Sequence, residues 1–401
     1  MKTFITFILS VACLAGFAQQ KDNRITIGTV DTVYSNILKE KRAIYVHVPQ
    51  GGDKNARYPV LYILDADQHF ESAVAMDEQF RPGLLPDMIV IGITNTNRER
   101  DLTPTHVQPY ALLNAGESKQ SGGGENFMAF MERELIPYVD THYPTTTYRV
   151  FSGHSLGGLA VINAFFNHTS LFNAFIAIDP SVWWDHEQWI KKQEAELPQR
   201  DFSNKALFVA MANNIPPGMD TISIFKDTTV IAPVTHAVLP FVRYLRGANP
   251  KGLMWDSKFY PNEWHGVVEF NAEYDALRYL FKFYRFDLDI LRQNPNLNAD
   301  SLLTEHYKAV SKVLGYTVLP TEENMNNLGY FYMGINRMDR ARDILKLNTV
   351  NYPQSANAWD SLGECYAAMG NKQKAIEAYQ KSLSLQETVD TRKKLEDLTK
   401  K

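Results

Sequence analysis

The sequence predicts an α/β chain with a mostly parallel central sheet, followed by an all-α helical repeat region. Three observations carry this expectation. Between residues 42 and 286, short β-branched and aromatic runs alternate with helical patterns. Several of those runs are continuously apolar, as strands are when helices cover both faces of a sheet. Beyond about residue 290 the strand patterns stop and a 34-residue self-similarity takes over.

Composition sets the outer limits. At 401 residues the chain is long enough for two domains, and 45% hydrophobic with 21% charged residues excludes a disordered or collagen-like protein. With 41 basic against 45 acidic residues, net −4, binding of nucleic acid by bulk charge is not expected. Only Cys13 and Cys365 are present, so there is no disulfide framework and no cysteine metal site.

Taken in order, the first 18 residues read as a secretory signal peptide. Lys2 supplies the charged start, residues 3–17 are almost wholly apolar or small, and Gly16-Phe17-Ala18 offers small residues at a cleavage site. The run is too short to span a bilayer, and no later segment is apolar enough. A lipoprotein anchor at Cys13 fits less well than cleavage after Ala18. The expectation is an exported protein, periplasmic or extracellular, without a membrane span. Residues 19–290 form the first expected domain. Its strands fall at 42–48, 60–64, 88–93, 149–151, 175–178, 206–210 and 254–260, and its helices at 125–139, 157–166, 240–245 and 273–284. Residues 291–320 read as a linker, with Asn294-Pro295-Asn296 as turn chemistry, and a connecting helix around 304–314.

Residues 321–401 hold the repeat. Leu328-Gly329, Tyr332 and Ala341 recur as Leu362-Gly363, Tyr366 and Ala375, each 34 residues later. That period, with Trp359 ahead of Leu362 and Tyr379 after Ala375, resembles the tetratricopeptide repeat, which implies a protein partner. Two helix pairs are fewer than usual for independent stability, so the helix near 304–314, or the first domain itself, is expected to pack against them.

The chemistry begins at Gly153-His154-Ser155-Leu156-Gly157-Gly158, which follows an apolar strand and precedes an apolar helix. Gly-x-Ser-x-Gly in that setting is a nucleophile elbow, as in α/β hydrolases. It presents Ser155 at the strand end and aims the Leu156 amide at a developing oxyanion. A serine hydroxyl needs a base, and the base in this fold follows the last strand. His265, in the turn after 254–260, fits. The second oxyanion amide is expected from the loop after the strand at 60–64, at Ala66 or Asp67.

The wider sequence resembles the putative-esterase family of α/β hydrolases, which holds siderophore, feruloyl and acetyl-xylan esterases, S-formylglutathione hydrolases and mycolyl transferases. The residues that carry the resemblance span most of the chain. They are Tyr58 to Asp65, Arg98-x-Arg100-Asp101-x-Thr103-Pro104, Glu134 to Pro137, the elbow, Asp179-Pro180-Ser181-Val182-Trp183-Trp184 and His265-Gly266-Val267-Val268. The nearest likeness is to exported ferric-siderophore esterases fused to tetratricopeptide repeats. The resemblance implies Ser155 as nucleophile and His265 as base. Two departures stand out. Many relatives place a Gly where Ala66 stands, and where an acid is expected, after 206–211, this chain has Asn213-Asn214. The expected machinery is therefore a Ser155–His265 dyad, with Asp220 and Asp227 as candidate acids.

Trp183 and Trp184 follow a strand end and could stack on an aromatic or sugar ring of a small-molecule or oligosaccharide ester. Arg98 and Arg100 could meet an anionic substrate or hold Asp101 in an ion pair. No metal or organic cofactor is implied. The expected function is an exported serine esterase. The alternative is a non-catalytic protein that uses the hydrolase fold as a ligand platform, which the missing acid favours.

Overall fold

The computed structural model describes residues 25–50, 56–81, 83–110, 113–226 and 232–400. The expected signal peptide and Asp227 lie outside the described residues. The described strands are β1 Thr29–Ser35, β2 Glu40–His47, β3 Tyr58–Ile63, β4 Ile89–Ile93, β5 Thr145–His154, β6 Ala174–Ile178, β7 Lys205–Ala212 and β8 Leu253–Tyr260. They form one sheet in the order β1-β2-β4-β3-β5-β6-β7-β8. β2 pairs antiparallel with β1 and with β4, and every later pairing is parallel. This is the α/β-hydrolase architecture the sequence predicts.

Every residue of β3, β4 and β6 is buried. The side-chain alternation explains why. Val60 and Tyr62 join the core on one face of the sheet, while Leu61 and Ile63 join the core on the other. The helix Leu156–Asn167 and residues 124–142 cover the first face, and the helices Ala66–Phe80 and Val268–Leu280 cover the second. A strand so placed reads as a continuous apolar run.

Three differences from the sequence reading have a clear physical cause. β1 is not expected from the sequence, because this edge strand has no apolar alternation: Val30 and Tyr34 are exposed, while Asp31 and Ser35 share the inward side with Val33. Residues 64–68 are not a loop. Asp65 adopts a left-handed backbone, φ 53°, and the helix Ala66–Phe80 begins at the next residue. The helix expected from Pro240 starts at Ala232 instead. Proline is favoured in a first helical turn, so a helix with proline inside it is read too short.

The helical region stacks Glu322–Gly334 on Met338–Asn351 and Ala356–Ala368 on Lys372–Leu385, and closes with Val389–Lys400. The repeat is physical. A Cβ on Gly329 would stand 2.5 Å from the Leu345 side chain, and one on Gly363 2.6 Å from the Tyr379 ring. In each pair the glycine lets the second helix close on the first. The helix Ala299–Leu314 serves two cores. Ala299 and Leu303 pack with Leu328 and Tyr332, while Val310 and Leu314 pack with Tyr148 and Phe281 of the hydrolase. No helix among the described residues is long and apolar enough to cross a membrane.

Parallel strands bring their carboxyl ends to one edge of the sheet, where open α/β sheets hold their ligands. Asp65, Ser155, Asp179, Asn213 and the turn before His265 all lie just past such ends.

Candidate active site

Ser155 stands in the turn between β5 and the helix Leu156–Asn167, at φ 59° and ψ −118°. A non-glycine residue held in such a sparsely populated region costs about 1–3 kcal/mol. Close packing fixes it there. A Cβ on Gly153 would lie 2.6 Å from the backbone carbonyl of Gly157, and one on Gly158 would lie 2.9 Å from Pro180 Cα. The Ser155 amide donates to the Ile178 carbonyl at 3.0 Å, and the Ser181 amide donates to the Ser155 carbonyl at 3.0 Å. The elbow is thereby tied to the segment that follows β6.

His265 sits in the turn between β8 and the helix Val268–Leu280. Two asparagines after β7 hold that turn. The Asn213 amide donates to the Glu263 carbonyl at 2.7 Å, and its side chain donates to the Pro261 carbonyl at 2.7 Å. The His265 amide donates to Asn214 Oδ1 at 3.0 Å.

These supports bring three side chains into line. Ser155 Oγ lies 3.0 Å from His265 Nε2, and His265 Nδ1 lies 2.6 Å from Asp179 Oδ2. Asp179 is 5% exposed. Its Oδ1 accepts from the Ala212 amide at 3.0 Å, and its Oδ2 also accepts from Asn214 Nδ2 at 2.9 Å. A buried carboxylate on Nδ1 fixes the tautomer with its proton on that side. Nε2 is then free to accept from the serine hydroxyl.

The carboxylate that the structure places against His265 is neither of the candidate acids. Asp220 is exposed, and its Oδ1 accepts from the amides of Ile222 and Ser223 and from the Ser223 hydroxyl. Asp227 is outside the described residues. Asp179 escapes the sequence reading because it follows β6 and not β7. Its one signal is that it replaces the first Ser of the family's Ser-Pro-Ser segment.

The amides of Leu156, Ala66 and Asp67 all open helices. The first amides of a helix have no partner within it. The helices concerned follow β5 and β3, which are neighbours in the sheet, and a Cβ on Gly157 would stand 3.2 Å from Asp65 Oδ2. Two helix N-termini therefore meet beside Ser155, an arrangement that stabilises negative charge.

The substrate expectation for Trp184 is corrected, and both arginines are held in ion pairs. Trp184 is fully buried and donates through Nε1 to the Thr105 carbonyl at 3.2 Å, so it is a core residue. Trp183 is half-buried and packs edge-on against Tyr110. Arg98 forks onto Asp65, Nε to Oδ1 at 2.8 Å and Nη2 to Oδ2 at 2.9 Å. Arg100 pairs with Asp101 at 2.7 Å and with Glu40 at 2.8 Å. Asp65 and Asp101 are buried, and a buried carboxylate requires a partner. Burial pushes the Asp65 carboxyl up, but the Arg98 fork outweighs it and holds the group below its ordinary value.

The profile of the putative-esterase family matches residues 35–213, which include β2 to β7, Ser155 and Asp179. The ferri-bacillibactin esterase of Bacillus subtilis is 30% identical over 207 residues, covering 47% of this chain and 71% of that protein. The chain belongs to the putative-esterase family. It is a carboxylic ester hydrolase. The apo-salmochelin esterase of Escherichia coli O6:H1 is 26% identical to this esterase over 268 residues, 64% of this chain and 76% of that one. Among solved structures, an IroE-like serine hydrolase of Shewanella oneidensis is 29% identical, with a TM-score of 0.66 over 80% of this esterase and 99% of that chain. A tetratricopeptide-repeat profile matches residues 356–389 of the esterase, the second of its helix pairs.

Proposed function

We propose that this esterase cleaves its substrate through a Ser155–His265–Asp179 triad and an acyl-enzyme intermediate. The observation that carries the reading is the His265 ring, bonded at 3.0 Å to Ser155 Oγ and at 2.6 Å to Asp179. Ser155 Oγ attacks the ester carbonyl while His265 Nε2 takes its proton. The amides of Leu156 and of Ala66 or Asp67 receive the oxyanion. The imidazolium then protonates the leaving alcohol, and the neutral ring activates water to release the acid. Asp179 also removes the argument for a non-catalytic ligand platform, which rested on a missing acid.

The proposed substrate is a siderophore ester, and the site acts on it outside the cytoplasm. Support for the substrate comes from relatives that bear siderophore esterase names. The exported location rests on the leader pattern of residues 1–18. Trp264, beside His265, is 63% exposed, and with half-buried Trp183 it offers ring faces to an aromatic acyl group. The tetratricopeptide helices are proposed to dock a protein partner. A fluorophosphonate probe tests the mechanism, and wild type should be labelled at Ser155 while Ser155→Ala is not. A hydrolysis screen over ferric and iron-free siderophores, feruloylated or acetylated oligosaccharides and acyl thioesters tests the substrate. Turnover confined to the oligosaccharides or thioesters would sink the siderophore reading.

A further inference from the structure

Ester hydrolysis leaves one polar cluster beside the triad without a task. His69 comes from the helix Ala66–Phe80, His154 from the end of β5, and Glu269 from the start of the helix Val268–Leu280. Glu269 Oε2 lies 3.0 Å from His69 Nδ1, and Glu269 Oε1 is in contact with His154 Nδ1. One potential ligand atom from each residue lies within 4.8 Å of the others. His154 Nε2 is buried and has no hydrogen-bond partner.

We propose that His69, His154 and Glu269 form a binding site for a divalent late first-row transition ion of the zinc type. Two imidazole nitrogens and one carboxylate oxygen are the donor set such ions take, at about 2.0–2.2 Å from the metal. The three residues sit on three separate elements that the fold already fixes. His154 stands next to the constrained elbow, and its carbonyl accepts from Arg98 Nη2 at 3.3 Å. Glu269 and His69 occupy first turns of their helices, where side chains project toward the same sheet edge. The side chains of His69 and His154 are 10% and 11% exposed, so few waters compete for the ion. Three protein ligands leave a fourth position open, as in catalytic and regulatory metal sites.

A second acidic cluster shows the contrast. Asp360, Glu364 and Asp390 also converge, but Lys394 Nζ already fills their centre, 2.7 Å from Asp360 and 2.6 Å from Asp390. His69 and His154 instead each meet the Glu269 carboxylate directly, one at each oxygen. The His154 ring stands 4.4 Å, centre to centre, from the His265 ring. An ion held there would lie one ring away from the base.

The test uses untagged full-length mature protein, stripped with chelator and dialysed, then titrated calorimetrically with zinc chloride. Bound metal is counted by elemental analysis. One equivalent should bind to wild type and to His265→Ala. His69→Ala and Glu269→Gln should each weaken binding by about tenfold or more. Unfolding of either variant is checked by circular dichroism, and the near-isosteric Glu269→Gln decides if His69→Ala fails to fold. Absence of saturable binding to wild type would overturn the proposal. So would unchanged binding in the folded variants, or loss of the ion in His265→Ala, which would place it on the triad.

Discussion

Asp179 Oδ2 and His265 Nδ1 are 2.6 Å apart, joined from the ends of β6 and β8 across the strand β7 that separates them. Asn214, just past the intervening β7, reaches both: its side chain donates to Asp179 and accepts from the His265 amide. Asp179 is thus held by the end of the strand that lies between it and His265.

Asp179→Asn should leave the fold intact and reverse the preferred tautomer of His265. The Asn side chain would offer its amide where Nδ1–H now donates, so Nε2 would carry the ring's own proton and could not accept the one that Ser155 must lose. A loss of about 10³–10⁴ in kcat is expected on a p-nitrophenyl ester, with KM little changed. Asp220→Ala should leave kcat within about twofold of wild type, roughly the scatter of an exposed substitution. Comparable losses in the two variants would remove Asp179 from its special place.

Asn214→Ala should act through geometry. It removes one bond to Asp179 and one to the His265 amide, but leaves the Ala212 amide on Asp179 and the direct contact between acid and base. A fall of about 10- to 100-fold in kcat is expected, as for groups that orient a reacting side chain. Asn214→Asp should not rescue it, because a second carboxylate would face Asp179.

Glu273 gives the esterase a pH-dependent weakness. It is buried on the helix Val268–Leu280, its Oε1 has no partner, and burial pushes its carboxyl up to about 8. The folded protein therefore favours the protonated form. Its contribution to stability is full below the ordinary carboxylate range near pH 4.5 and is lost as pH rises through about 8. Glu273→Gln mimics the protonated acid at every pH. The variant should match wild type in thermal unfolding at pH 5 and exceed it by a few kcal/mol at pH 9, because a tenfold tighter hold on a proton is worth about 1.4 kcal/mol. A constant difference across that range would show that Glu273 does not titrate in the fold.

Much of this was legible in the sequence wherever a single local pattern governs the outcome. Gly153, Gly157 and Gly158 sit where backbones approach each other, so the elbow reads directly from their spacing. Gly329 and Gly363 mark the repeat because a side chain of the paired helix, Leu345 or Tyr379, packs directly onto each. His265 is found because chain order in the fold limits the choice. Asp179 is not, because its role depends on which strand end lies across from His265, and that is a property of sheet order. The helix at Ala66 is hidden for a different reason. Asp65 is a residue type that starts helices, but it enters this one through a left-handed backbone directly after the strand and makes no side-chain cap. Trp184 shows the opposite failure. An aromatic after a strand suggests a binding wall, yet its neighbours enclose it completely.

The connecting helix yields the last prediction. Val310, Leu314 and Val318 are buried in the core that also holds Tyr148, Leu280 and Phe281. Fully burying such a side chain is worth about 1.5–3 kcal/mol. Three of them amount to several kcal/mol, against a total stability of about 5–15 kcal/mol for a typical domain. A chain ended at residue 290 would expose that patch and should aggregate or unfold. A chain ended at residue 320 keeps the three residues and uncovers only the smaller patch at Ala299 and Leu303, so it should keep the hydrolase folded and hydrolyse a simple ester. Expression of the two truncations, followed by size-exclusion chromatography and p-nitrophenyl ester turnover, separates the cases. A soluble, active form ended at residue 290 would mean that these contacts are dispensable and that the helix belongs energetically to the repeats alone.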